Sequence, residues 1–201
     1  DFNAQLIAEY NNSQGIPTRY VSPGEAGIQV TDLPQNAQIL EQSYNTLYKL
    51  REYNEKLIIP GFFGVSRQNY IVTFPRGGSD ITGAIVARGV RADLYENFTD
   101  VSGIFRANPT IVKNPEVIDE ITYREMRELS YAGFGVFHDE ALQPLHKDRI
   151  PVVIKNTNRP DDIGTYIRHD REINSNNIVS GISCDKGFTV INIKKYLMNR
   201  Q

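Results

Sequence analysis

Hydrophobic positions along the chain switch repeatedly between a helical and an extended period, which is the pattern of an α/β layered domain. Phe2, Leu6, Ile7 and Tyr10 have helical spacing, stopped by Asn11-Asn12-Ser13-Gln14-Gly15, and Pro17 to Val21 is expected as a strand. A loop follows. Ile39, Tyr44, Leu47 and Leu50 predict a helix after the break at Pro34, and Lys56 to Pro60 predicts a short apolar strand closed by proline. Gly61-Phe62-Phe63-Gly64 is expected to turn the chain into a second arm, Tyr70 to Phe74. A helix over Ser79 to Arg88 and a strand over Asp93 to Phe98 complete a strand, helix, strand series, the signal of a crossover unit. Thr122 to Tyr131 and His138 to Lys147 predict helices, Ile150 to Ile154 a strand, and Gly164 to Ile167 closes the series.

Beyond this the composition changes. Residues 169–177 are polar with almost no apolar side chain, so they are expected to link a domain of residues 1–168 to a second unit at 178–201. Ile178 to Cys184 and Phe188 to Ile193 predict two strands joined by Asp185-Lys186-Gly187. A lone two-stranded ribbon is marginal in water, so residues 178–201 are expected to open a larger domain. The chain shows no internal repeat.

With 201 residues the chain can bury a substantial core. Lys and Arg total 22 against 24 Asp and Glu, a net charge of -2, which offers no overall attraction to nucleic acid or an anionic membrane. The single Cys184 cannot form an internal disulfide and is expected to fill a strand as a small apolar side chain. The first residues, DFNAQLIAEY, lack a basic and apolar leader, and no apolar run approaches the roughly 20 residues that cross a bilayer, so a cytoplasmic location is expected. The sequons at Asn11 and Asn97 then count as chance matches, the second in a strand expected to be buried.

Candidate chemistry concentrates in Arg76-Gly77-Gly78-Ser79-Asp80. Glycines allow a tight turn and close backbone approach to a ligand. A helix N-terminus beyond them exposes N–H groups with partial positive charge, and a guanidinium fork matches a carboxylate. On the residues alone two readings stay open: an anion cradle, or a plain strand-to-helix turn with Ser79 or Asp80 as N-cap and Arg76 solvated. No Walker loop occurs, and Gly133-Phe134-Gly135 lies between two helical stretches, which rejects the dinucleotide fingerprint. Glu116, Asp119, Glu120, Glu125 and Glu128 interleave with Arg124 and Arg127, with Glu120–Arg124 and Arg124–Glu128 at i,i+4, and read as a solvated helix face. His138, His146 and His169 lie at unrelated spacings and no metal site is expected from them. Tyr123 and Tyr131 are expected in the core.

The Arg-Gly-Gly-Ser-Asp run, Thr99-Asp100-Val101-Ser102-Gly103-Ile104-Phe105 about twenty positions on, and then Asn108-Pro109 together resemble the aspartokinases of the amino-acid-kinase family. Gly61-Phe62-Phe63-Gly64, the Asp119-Glu120-Ile121-Thr122-Tyr123 entry to a helix, Val136-Phe137-His138 and Gly164-Thr165 follow in the family's order. The resemblance covers residues 1–167 as kinase domain, and residues 178–201 look like the first strands of a ferredoxin-like ACT regulatory domain. It implies a three-layer α/β fold, a sheet with helices on both faces. It also implies transfer of the ATP γ-phosphoryl group to the side-chain carboxylate of L-aspartate, the first step of lysine, threonine and methionine biosynthesis, with ATP and Mg²⁺ as cofactors. A homo-oligomer and a lysine or threonine effector are implied partners, with neither nucleic acid nor membrane.

Carried over by position, the resemblance implies that Phe62, Arg76, Gly77, Gly78 and Ser79 bind aspartate, Arg76 by holding a carboxylate, and that Asp80 organises the reacting centre. It implies nucleotide contacts at Thr99, Asp100, Phe105, Thr110, Gly135 and Val136. Two of these depart from the family: Thr110 stands where many members have arginine and Gly135 where many have lysine, which removes positive charge from the phosphate side. The family's Lys-Phe-Gly-Gly-Thr phosphate loop does not occur either. The chain is therefore expected to be a fragment, inactive by itself, of an aspartate kinase. Two other readings are a non-catalytic amino-acid-sensing or oligomerisation module on a kinase-like fold, and a kinase of another small acid such as glutamate.

Overall fold

A computed structural model describes residues 1–131, 139–172 and 179–182. Two hydrophobic cores lie on either side of one helix. The chain opens with α1 (Phe2–Ser13), which runs through the asparagines expected to stop it. Its buried side is Ala4 and Ala8, while Phe2, Leu6, Ile7 and Tyr10, the stripe that predicted the helix, are at least half exposed. Strand β1 (Thr18–Tyr20) follows, then a short helix α2 (Pro23–Ala26) in the stretch expected to be loop. It forms because Ser22 and Glu25 make a reciprocal capping box with Pro23 at the first position. Helix α3 (Ser43–Leu47) tightens into a 3₁₀ turn, Tyr48–Glu52, and β2 (Lys56–Ile58) pairs with β1 in parallel.

Strands β3 (Phe63–Val65) and β4 (Ile71–Thr73) form an antiparallel hairpin. Gly64, expected in the turn, lies instead within a strand, and the turn falls at 66–70, where Asn69 takes φ 64°. Helix α4 (Gly78–Gly89) then leads into β5 (Tyr95–Thr99). β4 and β5 belong to different sheets, so the expected crossover is not one: β4 is taken up by its local hairpin partner.

The larger sheet has the order β5-β7-β8-β6, built from β5, β6 (Glu120–Thr122), β7 (Val152–Asn156) and β8 (Thr165–Arg168). β5 runs parallel to β7 and β6 parallel to β8, while β7 and β8 are antiparallel. Val152, Val153 and Ile154 are fully buried, which is why β7 opens with three apolar residues in a row. Helices α5 (Tyr123–Tyr131) and α6 (Asp139–Lys147) cover the sheet, and the phenol of Tyr123 donates to the Ile150 carbonyl at 2.6 Å, a core role as expected. Ile28, Leu47, Val72, Phe74 and Ile85 form the first core; Ala84 and Ala87 of the same α4 join Ile121, Leu145, Ile154 and Ile167 in the second. No helix among the described residues is long and apolar enough to cross a membrane.

The acidic run does not form one solvated helix face: Glu116 and Asp119 precede β6, outside any helix, and Glu116 pairs with Arg106. Glu120 lies in β6 and pairs with Arg168. Glu125 caps Thr122 and takes both prongs of Arg171, at 2.8 and 2.6 Å, with the Ser180 hydroxyl also on it at 2.6 Å. The Arg171 bonds, foremost, hold the Glu125 carboxyl well below the usual carboxylate range. Arg171, within the stretch read as linker, is thus anchored to α5. The Ile182 N–H also bonds the Arg106 carbonyl at 2.7 Å. The two strands expected at 178–201 otherwise fall outside the described residues, as do His138 and Cys184. His146 and His169, unrelated in spacing, stack at 5.7 Å.

Candidate active site

The site is assembled at the N-terminus of α4, and its first component is backbone. Gly77 is the N-cap at φ 81°, a left-handed conformation that costs other residues about 1–2 kcal/mol. Neither Ser79 nor Asp80 caps the helix. Both sit inside its first turn, and among the described residues no side chain accepts from the leading N–H groups. These donors and their partial positive charge therefore stay available. Arg76 is exposed, and no carboxylate pairs with it among the described residues. Ser79 is exposed and Asp80 half-buried.

Phe62 closes one side. It holds φ 83°, unusual for a bulky residue, and two hydrogen bonds fix it there: its N–H donates to the Thr82 hydroxyl at 3.0 Å and its carbonyl accepts from Phe74 at 2.9 Å. Thr82 in turn donates to the Gly78 carbonyl at 2.7 Å. A methyl group at Gly78 would stand 2.8 Å from the Phe62 ring, so glycine there lets the ring lie on the helix end. Phe62, Gly77, Gly78, Ser79 and Asp80 are thus brought together around one helix terminus.

On the other side, the Asn97 amide of β5 donates to Asp80 Oδ1 at 2.9 Å and to the Tyr95 hydroxyl at 3.0 Å. Burial above all, with the Asp80 charge adding to it, holds the Tyr95 phenol above its usual range. Neither Asn97 nor Tyr95 stands out as a site residue in the sequence. The available signal is alternation along β5, which puts a buried amide on the same side as Tyr95.

Thr99 and Asp100 end β5 at the carboxyl edge of the sheet, where open α/β sheets bind ligands. The Thr99 hydroxyl donates to Asp100 at 3.2 Å, and the Thr157 N–H bonds the Thr99 carbonyl, so the end of β7 adjoins them. Asn156 reaches the Ser102 hydroxyl at 3.1 Å, another contact with no sequence signal. Phe105 bridges to Val117 in the following loop, and Thr110 closes a turn on the Asn108 side chain at 2.7 Å. No hydrogen bond joins either residue to Thr99 or Asp100 among the described residues. Gly135 and Val136 lie outside those residues.

The model of the amino acid kinase family matches residues 1–156. The chain belongs to that family. It is 56% identical over all 201 residues to Aspartokinase 3 of Bacillus subtilis, and spans 44% of that relative's length. Among solved structures, aspartate kinase of Clostridium acetobutylicum aligns with a TM-score of 0.76 at 41% identity, over 90% of this chain and 40% of that one. Escherichia coli aspartokinase III in complex with aspartate and ADP aligns with a TM-score of 0.76 at 26% identity, over 84% and 38%. The same enzyme with lysine and aspartate aligns at 0.74. The mixed α/β fold expected of this kinase family is therefore the fold found.

Proposed function

We propose that this chain carries the acceptor side, and part of the nucleotide side, of an ATP-dependent aspartate kinase. A carboxylate oxygen of L-aspartate attacks the γ-phosphorus of ATP, the bond to the β,γ-bridging oxygen breaks, and 4-phospho-L-aspartate and ADP leave. The observation that carries this reading is the open terminus of α4, flanked by the Phe62 ring and by Arg76, with which no carboxylate pairs among the described residues. Such a terminus holds an anion, and Arg76 adds the two-pronged bond that a carboxylate accepts. The aspartate and ADP held by the Escherichia coli relative support it.

In this reading Phe62, Arg76, Gly77, Gly78 and Ser79 hold aspartate, Asp80 orders the reacting centre, and Thr99, Asp100, Phe105, Thr110, Gly135 and Val136 serve the nucleotide. Magnesium would arrive bound to the phosphates of ATP. That ion would neutralise phosphate charge, while the chain's residues supply position and donors. Residues 178–201 open an ACT unit, and the lysine bound by the relative supports an amino-acid effector there. The test is ADP release by the full-length protein with ATP and magnesium. Dependence on aspartate is expected. ADP release that depends on glutamate instead, or on neither acid, would overturn the assignment.

A further inference from the structure

We propose that Asn97 is the positioning residue for Asp80, a role that rests on the reading of Asp80 as the residue ordering the reacting centre. Asn97 is a buried amide on a strand, 7% exposed, and a buried amide needs partners for its polar atoms. Both of its N–H bonds are spent, one on Asp80 Oδ1 at 2.9 Å and one on the Tyr95 hydroxyl at 3.0 Å. The orientation is set by chemistry, since an ionised carboxylate only accepts, so nitrogen and not oxygen must face Asp80. Tyr95 fixes the amide from behind, and it can do so because position 83 is glycine: a Cβ there would stand 2.3 Å from the phenol oxygen.

The result is a chain of contacts from the body of the sheet through β5 to one oxygen of Asp80. Oδ1 is committed to Asn97, while no hydrogen bond reaches Oδ2 among the described residues. One carboxylate oxygen is thus used for orientation and the other is left for the reacting centre. A half-exposed aspartate in the first turn of a helix would otherwise sample several rotamers. Holding it in one is the kind of preorganisation that raises the rate of a positioned phosphoryl transfer. A leucine at position 97 would suit a buried strand as well or better, so the amide is not explained by packing.

The experiment uses the full-length protein with Asn97→Leu and Asn97→Asp, each checked by thermal melting. Asn97→Leu is expected to keep its melting temperature, to lower kcat about tenfold, a 1.4 kcal/mol change, and to leave both KM values within about twofold. Asn97→Asp replaces the donor with a second carboxylate, so its kcat is expected to recover relative to wild type as the pH falls and the pair takes up a proton. Unchanged kcat in both folded variants would overturn the proposal, as would a loss confined to the KM for aspartate. A crystal structure of Asn97→Leu supplies a readout independent of turnover, with a changed Asp80 rotamer expected and a retained one overturning the proposal. If wild type itself releases no ADP with aspartate, the functional reading fails, and the rotamer comparison still decides what Asn97 does to Asp80.

Discussion

At the C-terminal end of α4 an arginine is held under two carboxylates and a tyrosine ring, whereas beside the N-terminal end an arginine stands exposed and the backbone donors have no cap. Arg88 donates to Glu41 and Asp148, each at 2.9 Å, lies 3.9 Å over Tyr44, and is 12% exposed. Arg51 then satisfies the carbonyls beyond the helix, donating to Val90 at 2.7 Å and Arg91 at 3.2 Å. A cation in the last turn also suits the helix dipole. The N-terminal end has the reverse construction, with glycine for a cap, a ring laid on Gly78 and donors left open. One end holds the helix between the two cores, which frees the other from contributing to stability and leaves its polar groups for a ligand.

The sharpest way to break this contrast is Arg76→Lys in the full-length protein. The charge remains but the fork is lost, and a hydrogen bond to a charged group carries about 1.5–3 kcal/mol. Aspartate use, measured as kcat/KM, should fall roughly 10- to 100-fold with the ATP KM hardly changed. Stability should move by less than about 0.5 kcal/mol, as for an exposed residue. Steady-state kinetics with aspartate and ATP varied separately checks it, and a defect confined to ATP would remove Arg76 from the acceptor side.

At the other end the same kind of residue should behave in the opposite way. Arg88→Gln removes the stack on Tyr44 and two ion pairs whose acidic partners are 71% and 45% exposed, so each pair contributes little. A loss of about 1 kcal/mol is expected, mostly from the stack. Denaturant unfolding measures it. Kinetic constants within twofold of wild type would sharpen the contrast, and a large kcat defect would show that the two ends are not separable.

How much of this contrast is legible in the sequence depends on how local each cause is. Helix α4 is legible because Ser79 to Arg88 has helical spacing, and Arg76 stands out by its glycines. The cap is not. Ser79 and Asp80 are the residue types that cap helices, and only the backbone angle of Gly77 moves the start of the helix ahead of them. Asn97 is hidden for another reason: its partner Asp80 is 17 positions away on a different element. Glu125 looks like any solvated glutamate until Arg171 arrives from 46 positions further on. The missed crossover has a local cause as well, because a three-residue strand such as β4 pairs with whichever neighbour the turn supplies.

The smallest expected effect appears only in acid. Glu41, through its bond to Arg88, and Glu125, through Arg171, both have carboxyl groups held below their ordinary value. The unfolded chain, with glutamate near pKa 4.3, takes up protons first as the pH falls. Each pairing therefore contributes stability that is fully present above about pH 5 and drains away below it as the folded carboxyl protonates. Glu125→Gln should flatten the acid limb of stability, read as melting temperature from pH 6 to pH 3. Glu41→Gln should flatten it less, because Glu41 is 71% exposed and water screens its pair, whereas Glu125 is 31% exposed and has Thr122 and Ser180 on it as well. Arg76→Lys should leave the limb unaltered, since no carboxylate pairs with Arg76 among the described residues. A flattened limb in that variant would mean that the open end of α4 is held by an ion pair after all, and the division between its anchored and its available end would fail.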